Sequence, residues 1–437
     1  MHESGRTILT KSAAVMVFRI AQIGLGALVA IVLARYLGPT EYGKYVFIFT
    51  IVVVLSVPTQ AGLSELIVRE TAKGLASERP EQIYRLWKWS AVATLQLTAV
   101  TVGILVVIFL ILLSLGKVES LYLLVPAVLL LLLLSIQNGI VASLRGVGRV
   151  LQSQFIEGVL RNLVFLAAIG ICFWFFNGLQ ITSGTTFILQ AASMLVLILV
   201  MGPIILRRTF RHVWSADYTS KKKEWLRAMI PFTLIGGVNI INQSTDIIML
   251  GFLAPPSEVA VYRVGAVLAG FVSLGLGAVH TVIAPKIAKL YAQNDSEEIR
   301  RLGVRSAQFA SLAAAIILPI YFVFGKNLIG LAFGPEYADA YLTLAILSAA
   351  HTFNAVMGLN STLLSMTNNE GTVLKILSFA AIGNIALNAL LISQFGSPGA
   401  AVATAITIIV WNTQMNLRCR KIFGFVPTAF SRTTSKP

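Results

Sequence analysis

The stretch "LYLLVPAVLLLLLLSI", Leu121 to Ile136, carries no charged side chain and constrains the fold more than any other feature of the chain. A segment this apolar belongs out of water. In hydrocarbon every backbone N–H and C=O must be satisfied within the structure, which a helix does by itself. A second run, "AAIILPIYFVF" (Ala314–Phe324), has the same character. Over 437 residues, 57% are hydrophobic and 12% charged, with a mean hydropathy of +0.82. A soluble domain of this length cannot cover so much apolar surface. The fold class is therefore all-α integral membrane.

Hydropathy predicts about twelve transmembrane helices in two bundles of six, residues 1–206 and 227–417. A basic linker (207–226) joins the bundles, and a basic tail (418–437) follows. The first apolar stretch, from about Ala13, is too long for a signal-peptide core and reads as a retained span. Cys172 and Cys419 lie far apart and suggest neither a disulfide framework nor a metal site.

A net charge of +16 on a soluble chain would suggest nucleic acid. Here it reads as topology, with no nucleic-acid partner. Of 34 Lys and Arg residues, 27 fall on one side of the predicted spans, four on the other and three inside. The positive-inside rule then places both termini in the cytoplasm of a multi-pass protein. The basic cytoplasmic loops, "RRTFRHVWSADYTSKKKEWL" above all, are expected to contact anionic lipids.

The chain also repeats itself. "LARYLGPTEYGKY" (Leu33–Tyr45) aligns without gaps on "LGFLAPPSEVAVY" (Leu250–Tyr262), setting Leu33, Pro39, Glu41 and Tyr45 opposite Leu250, Pro256, Glu258 and Tyr262. Each copy is the outer turn between the first two helices of a six-helix half. Because six is even, both halves run in the same direction. Such a parallel repeat predicts a V-shaped, alternating-access transporter.

These residues resemble a known family. "LARYLGPTEYGKYVFIF" is similar to the opening of bacterial polysaccharide and O-antigen flippases of the Wzx type. "DIIMLGFL…EVAVYRV" with "LGLGAVHTVIAPKIAKLY" resembles their seventh and eighth helices. That family lies in the multidrug/oligosaccharidyl-lipid/polysaccharide (MOP) superfamily. The resemblance implies a flippase in the bacterial inner membrane, moving an undecaprenyl-pyrophosphate-linked oligosaccharide from the cytoplasmic to the periplasmic leaflet. It also implies polysaccharide polymerase machinery as a further partner. "YRV…LGLGAV…APKIA" resembles the eighth helix of the lipid II flippase, where Arg263 falls on a cavity arginine; the first-helix arginine of that relative has Val29 in its place.

The polar residues within spans are the candidate site. Asn239, Asn242, Gln243 and Asp246 share one helical face, which lines a wet cavity or joins helices through hydrogen bonds. Asp246 is a candidate for a coupling proton or sodium ion, or for a partner to a basic residue. Arg263 either presents its fork to phosphate or snorkels to the interface. Arg19 carries the same two readings. Glu65 with Arg69, and Glu157 with Arg161, are spaced as i,i+4 pairs that neutralise locally. Asn384 and Asn388 read as helix–helix contacts.

No phosphate-binding G-x-x-x-x-G-K-[ST] loop and no H-E-x-x-H or paired-Cys metal pattern occurs. The chain reads as a transporter rather than an enzyme, with no cofactor beyond coupling to a proton or sodium gradient. Two rivals stay open: a cation-coupled multidrug exporter of the same superfamily, and an integral-membrane glycan polymerase or glycosyltransferase.

Overall fold

The computed structural model describes residues 5–60, 62–77, 80–117, 121–175, 182–209 and 222–431. All regular structure among them is helical. Helices α1 (Gly5–Gln60), α2 (Leu63–Ala76), α3 (Pro80–Ser114) and α4 (Leu124–Gly146) come first. They are followed by α5 (Val150–Gln154), a π-helical turn over Phe155–Leu160, α6 (Arg161–Phe175) and α7 (Ser183–Thr209). The chain continues with α8 (Lys222–Leu253), α9 (Pro256–Gly270), α10 (Leu274–Ala292) and α11 (Ser296–Ala332). It ends with α12 (Ala340–Met357), α13 (Asn360–Ser365) and α14 (Glu370–Phe423). Nine helices among the described residues are long and apolar enough to cross a membrane.

Two of the longest helices are broken by a glycine. In α1 the break is Gly38 (φ 70°, ψ 172°), and in α14 it is Gly396 (φ 58°, ψ −133°). Positive φ is strained for residues with a Cβ, so glycine marks both turns. A proline sits just past each break, Pro39 and Pro398. Its fixed φ and missing N–H suit the first turn of a new helix. The repeat copy at Ala254–Pro256 turns by other means: Pro255 is extended (φ −64°, ψ 154°) and Pro256 opens α9.

The chain forms two compact units. One comprises residues 1–29 and 47–241, the other residues 30–46 and 242–437. In the first unit, α2 is amphipathic: Leu63, Leu66 and Ile67 are buried with Leu86, Ala142 and Met229. Gly146 of α4 lies so close to α2 that an added Cβ would meet Thr71 Cβ at 2.7 Å. Small residues allow this approach where lipid supplies no hydrophobic drive for helix pairing. Ser135 of α4 donates to Thr59 at 2.8 Å, joining α4 to α1.

In the second unit, α12 packs against α9, α11 and α14. It can do so because its buried face is built of small residues, including Ala340, Thr343, Ala345, Ser348 and Ala350. Gly265 of α9 faces Thr343, where a Cβ would meet the Leu344 nitrogen at 3.0 Å. An apolar cluster of Ile287, Ile299, Leu363, Leu364 and Met415 closes the end where α10, α11, α13 and α14 meet.

Residues 30–46 are anchored in this second unit by specific bonds. The Arg35 guanidinium donates to the carbonyls of Leu331 and Ala332 at the C-terminus of α11, the latter at 2.7 Å. A cation there satisfies orphan carbonyls and complements the helix dipole. Tyr337 donates to the Ala34 carbonyl at 2.9 Å, and burial pushes its phenol above the usual range, so it remains a donor. Gly43 abuts the Pro256 carbonyl with no room for a side chain.

Candidate functional site

Asp246, on α8 in the second unit, is 6% exposed. An ionised carboxylate at such a depth is expensive unless hydrogen bonds or a cation compensate it. Three side chains from two other helices converge on it. Asn388 Nδ2 donates to Oδ1 at 2.8 Å. Tyr262 of α9 donates to Oδ2 at 2.5 Å, and Thr404 of α14 donates to the same oxygen at 2.6 Å. All three partners are neutral, so none of them would cancel a negative charge on the carboxylate.

Three acceptor oxygens crowd one amide nitrogen beside the carboxylate. Asn388 Nδ2 is shared between Asp246 Oδ1, the Asn384 carbonyl and Asn384 Oδ1, the last two at 3.0 Å each. Asn384 Nδ2 reaches Thr407 at 3.4 Å. Asn388 Oδ1 is buried with no hydrogen-bond partner. Buried polar atoms are ordinarily satisfied, so an orphan oxygen beside an uncancelled carboxylate is notable. Oxygens from a carboxylate, amides and a hydroxyl are the hard ligands that alkali and alkaline-earth ions take. Among the described residues, no group of three or more His, Cys, Asp or Glu gathers.

The other sequence candidates fall at several places. In the second unit, Asn242 is half-buried and donates to the Leu377 carbonyl at 3.5 Å, a helix–helix contact; Gln243 is exposed. The Asn239 side chain lies outside the described residues, as does most of the 207–226 linker and the end of the 418–437 tail. Arg263 is exposed, and its guanidinium lies at the Tyr42 hydroxyl. It neighbours Tyr262, which turns inward to Asp246. The arginine and the carboxylate are therefore adjacent features of one unit rather than an ion pair.

In the first unit, Arg19 is exposed on α1, beside Phe18, whose ring lies 5.7 Å from that of Phe155. Glu157 belongs to the π-helical turn and pairs with Arg145 of α4. Gln22 packs against Gly158 of the same turn, where a Cβ would meet it at 2.8 Å. Arg161 is half-buried at the start of α6. On α2, Arg69 bonds Glu70 at 2.9 Å, and Glu65 is exposed.

The sequence singles out Asp246 as a candidate but does not reveal Tyr262 and Thr404 as its partners. In it Asn384 and Asn388 read as helix–helix contacts. They are that, and they also complete the acid's surroundings. One signal was available for Thr404: in "GAAVATAITIIV" it and Thr407 are the only polar residues, three apart on one helical face. The same repeat offset that pairs Leu33 with Leu250 sets Val29 opposite Asp246, so the acid belongs to the second half alone.

A sequence model of the family described as "Polysaccharide biosynthesis protein" matches residues 8–291, which include both copies of the repeat. The probable low-salt glycan biosynthesis flippase Agl15 of Haloferax volcanii is 26% identical over 190 residues. That match covers 43% of this chain and 39% of the relative, so the similarity spans well under half of that protein. Among solved structures, an inward-facing multidrug resistance MATE family transporter of the MOP superfamily superposes with a TM-score of 0.75. It is 16% identical, over 92% of this chain and 94% of that one. The lipid II flippase MurJ, in an inward closed conformation, gives a TM-score of 0.71 at 14% identity, over 92% and 87% of the two chains. The chain is a multi-pass membrane protein with the fold of MOP-superfamily transporters.

Proposed function

We propose that this chain, which belongs to the polysaccharide biosynthesis protein family, is a flippase for a lipid-linked oligosaccharide. The observation that carries the reading is the family match over residues 8–291 on a fold shared with a lipid II flippase. A glycan-pathway flippase among its relatives supports it. We place it in the bacterial inner membrane with both termini cytoplasmic, moving an undecaprenyl-pyrophosphate-linked glycan outward by alternating access. In this reading the polymerase machinery consumes its product and its basic loops rest on anionic lipid.

The residues have distinct tasks in this scheme. Arg263 offers a forked cation to the pyrophosphate. Asn242 and Gln243 supply amides for sugar hydroxyls. Asp246 couples transport to a cation gradient. A sodium ion would find hard oxygen ligands among Asp246, Asn384 and Asn388, whose Oδ1 is without a hydrogen-bond partner, and its binding would couple transport to the sodium gradient.

The same fold also serves multidrug transporters. An exposed arginine is a poor feature for cationic drugs, so the glycan reading is preferred. Deleting the gene separates the two. A glycan flippase predicts loss of surface polysaccharide and accumulation of its lipid-linked precursor, both reversed by the wild-type gene. Intact surface glycan with altered drug susceptibility would favour the exporter.

A further inference from the structure

Glu258 stands in the first turn of α9, far in sequence from α14. Its Oε2 accepts the backbone N–H of Ser397 at 2.7 Å. Ser397 follows the Gly396 break, is 1% exposed, and opens the last helical segment of the chain. Its N–H has no partner within that segment, because the first N–H groups of any helix lack one. A carboxylate from a different helix satisfies it and complements the positive end of the helix dipole. The contact is tight: a Cβ at Gly396 would meet Glu258 Oε2 at 2.7 Å.

The geometry gives this tie a consequence at Asp246. Tyr262 lies four residues, one helical turn, beyond Glu258 on α9. Thr404 lies seven residues, two turns, beyond Ser397 on α14. Both therefore lie on the faces that carry the tie, and both donate to the single oxygen Asp246 Oδ2. Two hydroxyls on separate helices meet one oxygen only if the helices hold a fixed axial register. Among the described bonds, Glu258–Ser397 joins these two helices outside the Asp246 cluster.

We propose that Glu258 is a positioning residue for the cation site, setting the register that brings Tyr262 and Thr404 onto Asp246. The inference rests on the reading of Asp246 as a cation site, and its test separates the two. The purified full-length protein is unfolded thermally across a sodium chloride series, with choline chloride holding ionic strength constant. A ligand that binds only the native state raises the midpoint as the logarithm of one plus its concentration over Kd, and fitting that rise gives the concentration that half-saturates the native protein, independently of baseline stability.

Glu258→Gln keeps an acceptor for the Ser397 N–H and should stay within about twofold of the wild-type half-saturation, since a neutral hydrogen bond replaces a charge-assisted one. Glu258→Ala should raise half-saturation about tenfold, the effect of losing roughly one hydrogen bond's worth of preorganisation. Glu258→Asp, one methylene shorter, should fall between them and serves if the alanine protein does not fold. If Ala and Asp lower the midpoint in choline but leave half-saturation unchanged, Glu258 is a structural cap and the inference is overturned alone. If the wild type shows no sodium-specific shift, or Asp246→Asn retains one, the cation reading itself falls and takes this inference with it.

Discussion

Tyr262 and Thr404, separated by 142 residues in sequence, place their hydroxyls on the same oxygen of Asp246, at 2.5 and 2.6 Å. Removing one of them tests whether the carboxylate is tuned or merely tolerated. Thr404→Val keeps the shape and deletes the hydroxyl. Leaving a buried acceptor short of a donor costs about 1–3 kcal/mol. If the site binds a coupling ion, export should also need more sodium, and Thr404→Ser should restore both properties. Equal loss of abundance and export, with unchanged sodium dependence, would reduce Thr404 to a packing role.

Arg263 carries the prediction about substrate charge. Arg263→Ala should reduce glycan export strongly while protein abundance in the membrane stays near normal. Arg263→Lys should keep part of the activity, because it retains a point charge but not the bidentate fork. A snorkelling arginine predicts full tolerance of alanine. Normal export by a well-expressed Arg263→Ala protein would remove the residue from the mechanism.

Much of this fold was legible in the sequence because membrane helices are written in local hydropathy. The two breaks were less visible. "YLGPT" and "QFGSPGA" each contain Gly and Pro, yet only the backbone shows that Gly38 and Gly396 take positive φ inside otherwise continuous helices. The family resemblance at Leu33–Tyr45 and Leu250–Tyr262 was local and is met by a match over residues 8–291. The site was half legible. A helical stripe ending at Asp246 can be counted, but its partners Asn388 and Thr404 lie 142 and 158 residues away. No periodicity reports such pairing. Nor does hydropathy reveal that residues 30–46 pack with the second unit, which depends on bonds such as Arg35 to Ala332.

Gly43 tests that packing. Its Cα stands against the Pro256 carbonyl, so Gly43→Ala forces backbone apart and should destabilise the protein by about 1–3 kcal/mol. Gly24→Ala, in the same long helix with open space around it, is the control and should be neutral or mildly stabilising. The comparison is read from thermal unfolding midpoints. Equal midpoints for the two variants would contradict the close approach at Gly43.

The proposed orientation rests on the distribution of basic residues, 27 against four. Single cysteines replacing Lys117 and Lys221, in a background lacking Cys172 and Cys419, are treated with an impermeant thiol reagent in intact cells. Labelling is expected at 117 and not at 221. The reverse pattern would invert the chain and with it the proposed direction of transport.

The most direct test of the central claim is reconstitution. Purified protein is placed in sealed liposomes whose inner leaflet holds a fluorescent lipid-linked oligosaccharide, and an impermeant glycosidase is added outside. With an inward-directed sodium gradient, the wild type should expose the trapped glycan to cleavage. Asp246→Asn should leave it protected, as in liposomes without protein. If the wild type also leaves the glycan protected while the liposomes stay sealed and the protein stays folded, the chain does not flip this lipid, and the account is wrong at its centre.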